Sequence, residues 1–291
     1  MTRFLAKIIL LFLLAGPPLA CAADMAASRV QCGNLKSRFV HSSVGYCALL
    51  PPGYDADTKQ IFPVLYLLHG LGDNHETLIN TGIWNMVEEL QGQRRIGRFV
   101  IVTPQAGRSF YVDARNGRMQ YEQFFVREFV PAMEKRFRMG RSRARRAIGG
   151  ISMGGFGALR FAFKFPQMFS SVSAHSAALI ERMPKGAEQT PIGAIMGNSF
   201  GVPFDPAYWE KNTPFVFARS AGLRGLKIYF DCGSDDDYGF EAGAEALHRL
   251  LLSRKVAHEF HLYPGRHDWT YFSEHLPASL EFHSRNLAAA Q

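Results

Sequence analysis

The chain has 291 residues, 47% hydrophobic and 13% aromatic, enough to bury a sizeable core in one or two domains. No repeat or low-complexity tract interrupts it, which excludes solenoid, fibrous and disordered classes. The formal charge is +8, and setting aside Arg3 and Lys7 leaves 31 basic against 25 acidic residues. Much of that excess lies in one run, Lys135 to Arg146 (KRFRMGRSRARR), between a predicted helix and a predicted strand. Such a run reads as a solvated surface segment, and no nucleic-acid partner is expected.

The N-terminus, MTRFLAKIILLFLLAGPPLACAAD, carries Arg3 and Lys7, an apolar run from Ile8 to Ala15, and then small residues. This is the layout of an export signal over residues 1–22, too short for a stable membrane span, with Ala20-Cys21-Ala22 as the cleavage site. Leu19-Ala20-Cys21 also loosely resembles a lipoprotein box, although Pro18 fits it poorly, so lipidation of Cys21 is the alternative. The protein is expected to be secreted or periplasmic, with residues 23–291 as one domain. In an oxidising compartment a Cys32–Cys47 disulfide is expected, adding about 3 kcal/mol from its loop length, and Cys232 is left as a small buried residue. No Cys/His spacing reads as a zinc site, so neither metal nor cofactor is expected.

Residues 29–50 read as two short strands joined by a polar turn. Continuous apolar runs follow at Pro63–Leu68, Phe99–Val102 and Ala147–Ile151, a weaker one at Ser170–Ala174, then Leu226–Phe230 and the alternating His258–Tyr263. Runs of this kind suit strands buried on both faces. Helical patterns fall between them: Trp84–Leu90, Tyr121–Phe137 with Pro131 as a possible kink, Phe156–Phe165, Phe240–Leu252 and Trp269–Leu287. The alternation predicts an α/β fold, a mostly parallel central sheet with helices on both faces, whose function gathers at the carboxyl ends of the strands. Ala177 to Arg224 is aperiodic and rich in Gly, Pro and Met; it reads as an excursion forming a pocket wall or lid.

One serine stands among five glycines in Ile148–Gly157 (IGGISMGGFG), and Gly150-Ile151-Ser152-Met153-Gly154 is G-x-S-x-G. Between a strand and a helix this pattern makes a nucleophile elbow, in which a side chain two residues either way would collide. A serine hydroxyl needs a general base, and the base needs a carboxylate. In this architecture the chain order is Ser, acid, His. The strand ending at Phe230 runs into Asp231-Cys232-Gly233-Ser234-Asp235-Asp236-Asp237, and the strand ending at Tyr263 into Pro264-Gly265-Arg266-His267. His41, His69, His75 and His175 fail the order; His248 reads as a solvated helix residue, His258 and His261 as strand residues, and His275 and His283 as surface residues of the last helix. His267 is therefore the base, while Asp231, Asp235, Asp236 and Asp237 stay open as the acid. Backbone N–H groups of Met153, next to the nucleophile, and of Leu71, in His69-Gly70-Leu71-Gly72, are the candidates for an oxyanion hole.

YLLHGLGDN (66–74), PQAGRSFYVD (104–113), YEQFFVREFVPAMEKRF, GGISMGGFGALRFA, FGVPFDPAYWEKNTP (200–214), DCGSDDD and GRHDW appear in that order. Together they resemble the esterase D-like α/β hydrolases, a family that includes feruloyl esterases, S-formylglutathione hydrolases and mycolyltransferases, over about Pro51 to Phe282. The resemblance implies Ser152 as nucleophile, His267 as base, Leu71 and Met153 as oxyanion donors, Asp236 as the acid with Asp235 next, and Tyr111 and Trp269 in the pocket wall. It implies a serine carboxylic ester hydrolase acting on a small-molecule or glycan-linked ester, or an acyltransferase moving an acyl group to a sugar or other alcohol with the same triad.

Overall fold

The computed structural model describes residues 29–288 except 57, 185, 187, 188 and 190; the expected export signal and Cys21 lie outside the described residues. Eight strands form one sheet: β1 Arg29–Lys36, β2 Ser43–Leu50, β3 Val64–Leu68, β4 Val100–Pro104, β5 Arg146–Gly150, β6 Ser171–His175, β7 Lys227–Gly233 and β8 Glu259–Tyr263. Their order across the sheet is β1-β2-β4-β3-β5-β6-β7-β8. β2 runs antiparallel to both β1 and β4, and every other neighbouring pair is parallel. Cys32 and Cys47 face each other in the β1–β2 register and form a disulfide, with Cα atoms 4.0 Å apart.

The central strands β3 and β4 are buried along their whole length because both faces of the sheet are covered there, whereas the edge strands β1 and β8 stay partly exposed. Val64, Tyr66 and Leu68 of β3 join one core with α5 (Met153–Lys164) and α9 (Phe240–Ser253), whereas Leu65 and Leu67 join a second core with α2 (Ile83–Gly92) and α10 (Trp269–Ala288). A short α1 (Thr77–Asn80) precedes α2. The predicted helix over Tyr121–Phe137 divides into α3 (Tyr121–Phe124), a π turn at Phe125–Phe129 and α4 (Val130–Arg136). Pro131 has no N–H for the carbonyl four residues back, and the turn before it opens to the wider spacing. The excursion after β6 holds three short helices, α6 (Pro191–Phe200), α7 (Pro206–Asn212) and α8 (Pro214–Ser220). Buried Arg160 of α5 anchors it, Nε donating to the Asn212 carbonyl at 3.0 Å and Nη2 to Asn212 Oδ1 at 2.8 Å.

The basic run is less free than a solvated segment. Arg138 donates to the Tyr54 carbonyl, Arg143 to Pro166, Arg145 to Ile61, and Arg146 pairs with Glu134. These guanidinium groups cap carbonyls where helices and loops end, a role that composition does not reveal. Among the described residues no helix is long and apolar enough to cross a membrane.

Candidate active site

Ser152 sits between β5 and α5 with φ 55° and ψ −116°, a strained conformation for a residue with a side chain. Its neighbours show why glycine flanks it. A Cβ on Gly150 would fall 2.3 Å from the Gly154 carbonyl, and one on Gly154 would fall 2.1 Å from the Leu68 carbonyl oxygen. The Ser152 N–H donates to the His175 carbonyl at 2.9 Å, and its own carbonyl accepts from Phe156 at 3.0 Å and Ala178 at 3.0 Å. The elbow is thereby fixed from both sides, with the hydroxyl at the start of α5.

The loops after β7 and β8 bring the remaining groups to the same edge. His267 Nε2 lies 2.9 Å from Ser152 Oγ, and His267 Nδ1 lies 2.7 Å from Asp236 Oδ2. With Nδ1–H donating to the carboxylate, Nε2 is left to accept the serine proton. Asp236 Oδ1 accepts from the Tyr238 N–H at 3.0 Å and the Phe240 N–H at 3.5 Å. Burial pushes the Asp236 carboxyl up, but the hydrogen bond and charge of His267 and these two N–H groups outweigh it, leaving the group below the usual carboxylate range. Of the four carboxylates open in the sequence, Asp236 is the one that meets His267. Asp235 is exposed and accepts from Ser234 Oγ at 3.0 Å; Asp237 pairs with Arg266; Asp231 is buried beneath the loop.

Met153 is the first residue of α5, where backbone N–H groups lack intrahelical acceptors and the helix dipole favours negative charge. Leu71 stands on the opposite rim after Gly70. His69 shapes that rim: Nδ1–H donates to the Gly70 carbonyl at 2.7 Å, and Nε2 accepts from the Ala106 N–H at 2.9 Å. Burial holds its imidazole down at about 4, so the ring stays neutral and keeps both bonds.

Ser152, His267, Leu71 and Met153 face a cavity of about 290 Å³. Its walls are mainly apolar: Phe110, Ile151, Ala178, Ile180, Ile195, Met196, Trp209, Phe240, Trp269 and Phe272. Trp269, expected in the pocket wall, lines the cavity. Tyr111 departs from expectation, being fully buried behind the wall with its hydroxyl donating to the His69 carbonyl at 3.0 Å. Phe110 and Tyr111 both have positive φ (48° and 57°), which turns the chain so that Phe110 takes the pocket position. Sequence reasoning also missed Trp209, which stacks on Phe156 with ring centroids 5.3 Å apart, and Tyr238, whose ring meets the His267 imidazole edge-on at 4.8 Å. Tyr238 follows Asp236 by two residues, and that proximity was the available signal. Asp73 adds a carboxyl beside the nucleophile: a Cβ on Gly70 would lie 2.9 Å from Asp73 Oδ2 and 3.6 Å from Ser152 Cβ.

Among the described residues, the one His/Cys/Asp/Glu group close enough to hold a cation is Cys47, His75 and Glu76, and the Cys47 sulfur is spent in the disulfide.

Residues 38–283 match the Esterase family model, described as "Putative esterase". The chain belongs to that family. Two Mycobacterium tuberculosis proteins named esterase, Rv1288 and MT1326, are 28% identical over 256 residues, covering 79% of this chain; the chain spans only about half of them, 54% of each. An acetyl esterase of Caldicellulosiruptor saccharolyticus is 25% identical over 266 residues, covering 87% of this chain and 97% of that protein. A solved ferulic acid esterase superposes with TM-score 0.79 at 29% identity, covering 90% of this chain and 99% of that one. An S-formylglutathione hydrolase from Agrobacterium tumefaciens shares the fold, with TM-score 0.74 at 20% identity over 90% of this chain and 96% of that one.

Proposed function

We propose that the protein is a secreted serine esterase that hydrolyses a carboxylic ester through an acyl-serine intermediate. The observation that carries this reading is the continuous Asp236–His267–Ser152 array at the mouth of an apolar cavity. Export is supported by the N-terminal sequence and by the Cys32–Cys47 disulfide, which persists in an oxidising compartment.

The ester carbonyl enters beside Ser152. Oγ attacks its carbon, the O–H proton passes to His267 Nε2, and the carbonyl electron pair moves onto oxygen. The N–H groups of Leu71 and Met153 donate hydrogen bonds to that oxygen as its charge develops, aided by the positive end of α5. Asp236 holds the imidazole in the right tautomer and stabilises it while protonated. The tetrahedral adduct collapses by breaking the C–O bond to the alcohol, which leaves with the proton from His267. Water then repeats the sequence: His267 takes its proton, hydroxide adds to the acyl carbon, and the carboxylic acid departs as Ser152 regains its hydroxyl.

The apolar walls receive the acyl part, and the small-molecule or glycan-linked alcohol leaves through the open side. The similar acetyl esterase and ferulic acid esterase direct attention to short acyl and hydroxycinnamoyl esters. The test is a hydrolysis panel of short acyl, long acyl and hydroxycinnamoyl esters on wild type and Ser152→Ala. The variant should lose all measurable turnover above background, and a variant that hydrolyses at wild-type rates would refute the assignment.

A further inference from the structure

A second Ser–His–Asp array lies beneath the first, and the proposed mechanism does not use it. His175 ends β6 and faces Asp231 of β7 in the sheet register. His175 Nδ1 and Asp231 Oδ2 are 2.8 Å apart without the alignment of a hydrogen bond, and His175 Nε2 is 2.7 Å from Ser279 Oγ on α10. Asp231 Oδ1 accepts from the Tyr271 hydroxyl at 2.8 Å. His175 is 0% exposed, Asp231 and Ser279 1%, and Tyr271 3%, so no substrate reaches them. Burying this many polar groups is costly unless their mutual contacts fix something the protein uses.

Their backbones show what that is. The His175 carbonyl accepts the Ser152 N–H at 2.9 Å, and Ile151 forms a β-bridge with His175. Asp231 precedes Asp236 by five residues on the strand that launches the acid loop. The Tyr271 ring packs against Gly265, where a Cβ would fall 2.6 Å from Cδ2, and Gly265 precedes His267 by two residues. The Gly265 carbonyl in turn accepts the Asp235 N–H at 3.0 Å, joining the acid loop to the base loop.

We propose that Asp231, packed against His175 and hydrogen-bonded by Tyr271, is a positioning residue that sets the spacing of Ser152, Asp236 and His267. Each of its two partners touches a different catalytic loop: the His175 carbonyl holds the elbow, and the Tyr271 ring packs on Gly265 in the loop of His267. Losing either contact frees one loop relative to the others and lengthens the Ser152–His267 approach. A misplacement of about 1 Å is enough to cost a hundredfold in rate, and the loss of one hydroxyl contact should cost part of that.

This inference rests on the proposed role of Ser152. The test compares Tyr271→Phe with Val87→Ala, a core truncation in α2 outside the cavity lining, both assayed well below their melting temperatures. Tyr271→Phe keeps the ring over Gly265 and removes only the hydroxyl on Asp231. It should lower kcat about tenfold with KM within about twofold, and slow fluorophosphonate labelling of Ser152 by the same factor. Val87→Ala should lower the melting temperature with kcat and labelling unchanged. If Tyr271→Phe behaves like Val87→Ala, the array is purely structural and the proposal is overturned. Failure of the underlying reading shows separately, as labelling and turnover that survive Ser152→Ala.

Discussion

Among the described residues two Ser–His–Asp arrays have nearly the same spacings, and one of them opens on a cavity while the other is buried. In the outer array the serine–imidazole and imidazole–carboxylate distances are 2.9 and 2.7 Å; in the inner array they are 2.7 and 2.8 Å. The outer serine stands on a strained elbow above a cavity, at the start of α5. The inner serine lies within α10, where its hydroxyl also donates to the Leu276 carbonyl at 3.0 Å. The inner imidazole and carboxylate, though close, are not aligned as a hydrogen bond. Residue identity and spacing are therefore insufficient for nucleophilic chemistry. Access, an aligned proton path and donors for the oxyanion make the difference.

Removing each serine in turn should give the largest difference between the two arrays. Ser152→Ala should reduce kcat by about a thousandfold or more, whereas Ser279→Ala should cost at most about tenfold, read from initial rates on one ester. The acid loop offers the next contrast. Asp236→Asn should lower kcat by about a thousandfold by presenting the wrong partner to the imidazole, whereas Asp235→Asn should leave it within about twofold. The cavity wall follows. Met196→Phe narrows the acyl side, and should reduce kcat/KM for a hydroxycinnamoyl ester about tenfold relative to an acetyl ester.

Acid sensitivity distinguishes the inner region from the outer at the smallest scale. His283, fully buried on α10, shares its ring nitrogens with Ser171 Oγ and Ser173 Oγ, both at 2.8 Å. Burial, with a smaller contribution from nearby His175, pushes its imidazole down to about 3. The neutral ring stabilises the fold fully above the unfolded value near 6.5, and that contribution is lost as pH falls from there toward 3, by about 1.4 kcal/mol per unit. His69 acts with the same sign down to about 4. Asp236 works in a different window: its lowered carboxyl stabilises the fold above about 4, and that contribution disappears only below it. Melting curves between pH 6.5 and 4.5 should fall less steeply for His283→Gln than for wild type, and parallel slopes would contradict this account.

The fold was legible where one local signal decided the outcome. Apolar runs such as Pro63–Leu68 cannot face water, and they became central strands. The elbow was legible because Gly150 and Gly154 meet backbone at distances that admit no side chain. His267 followed from chain order and its place after β8. What stayed hidden depended on contacts far apart in sequence. His283 read as a surface residue because nothing near it in sequence reveals Ser171 and Ser173, more than a hundred residues away, which make its burial tolerable. The exchange of Tyr111 for Phe110 in the pocket turned on two successive positive φ angles, which neither residue type advertises. The arginines of the basic run found their carbonyl acceptors only once the chain was folded.

Ser152 should be the one activated nucleophile among the described hydroxyls, and covalent labelling reads this directly. After exposure of the wild-type protein to a fluorophosphonate, peptide mapping by mass spectrometry should find one adduct, on Ser152, formed with loss of ester hydrolysis and absent from Ser152→Ala. An adduct on Ser279 or elsewhere, or labelling that proceeds unchanged in Ser152→Ala, would contradict it.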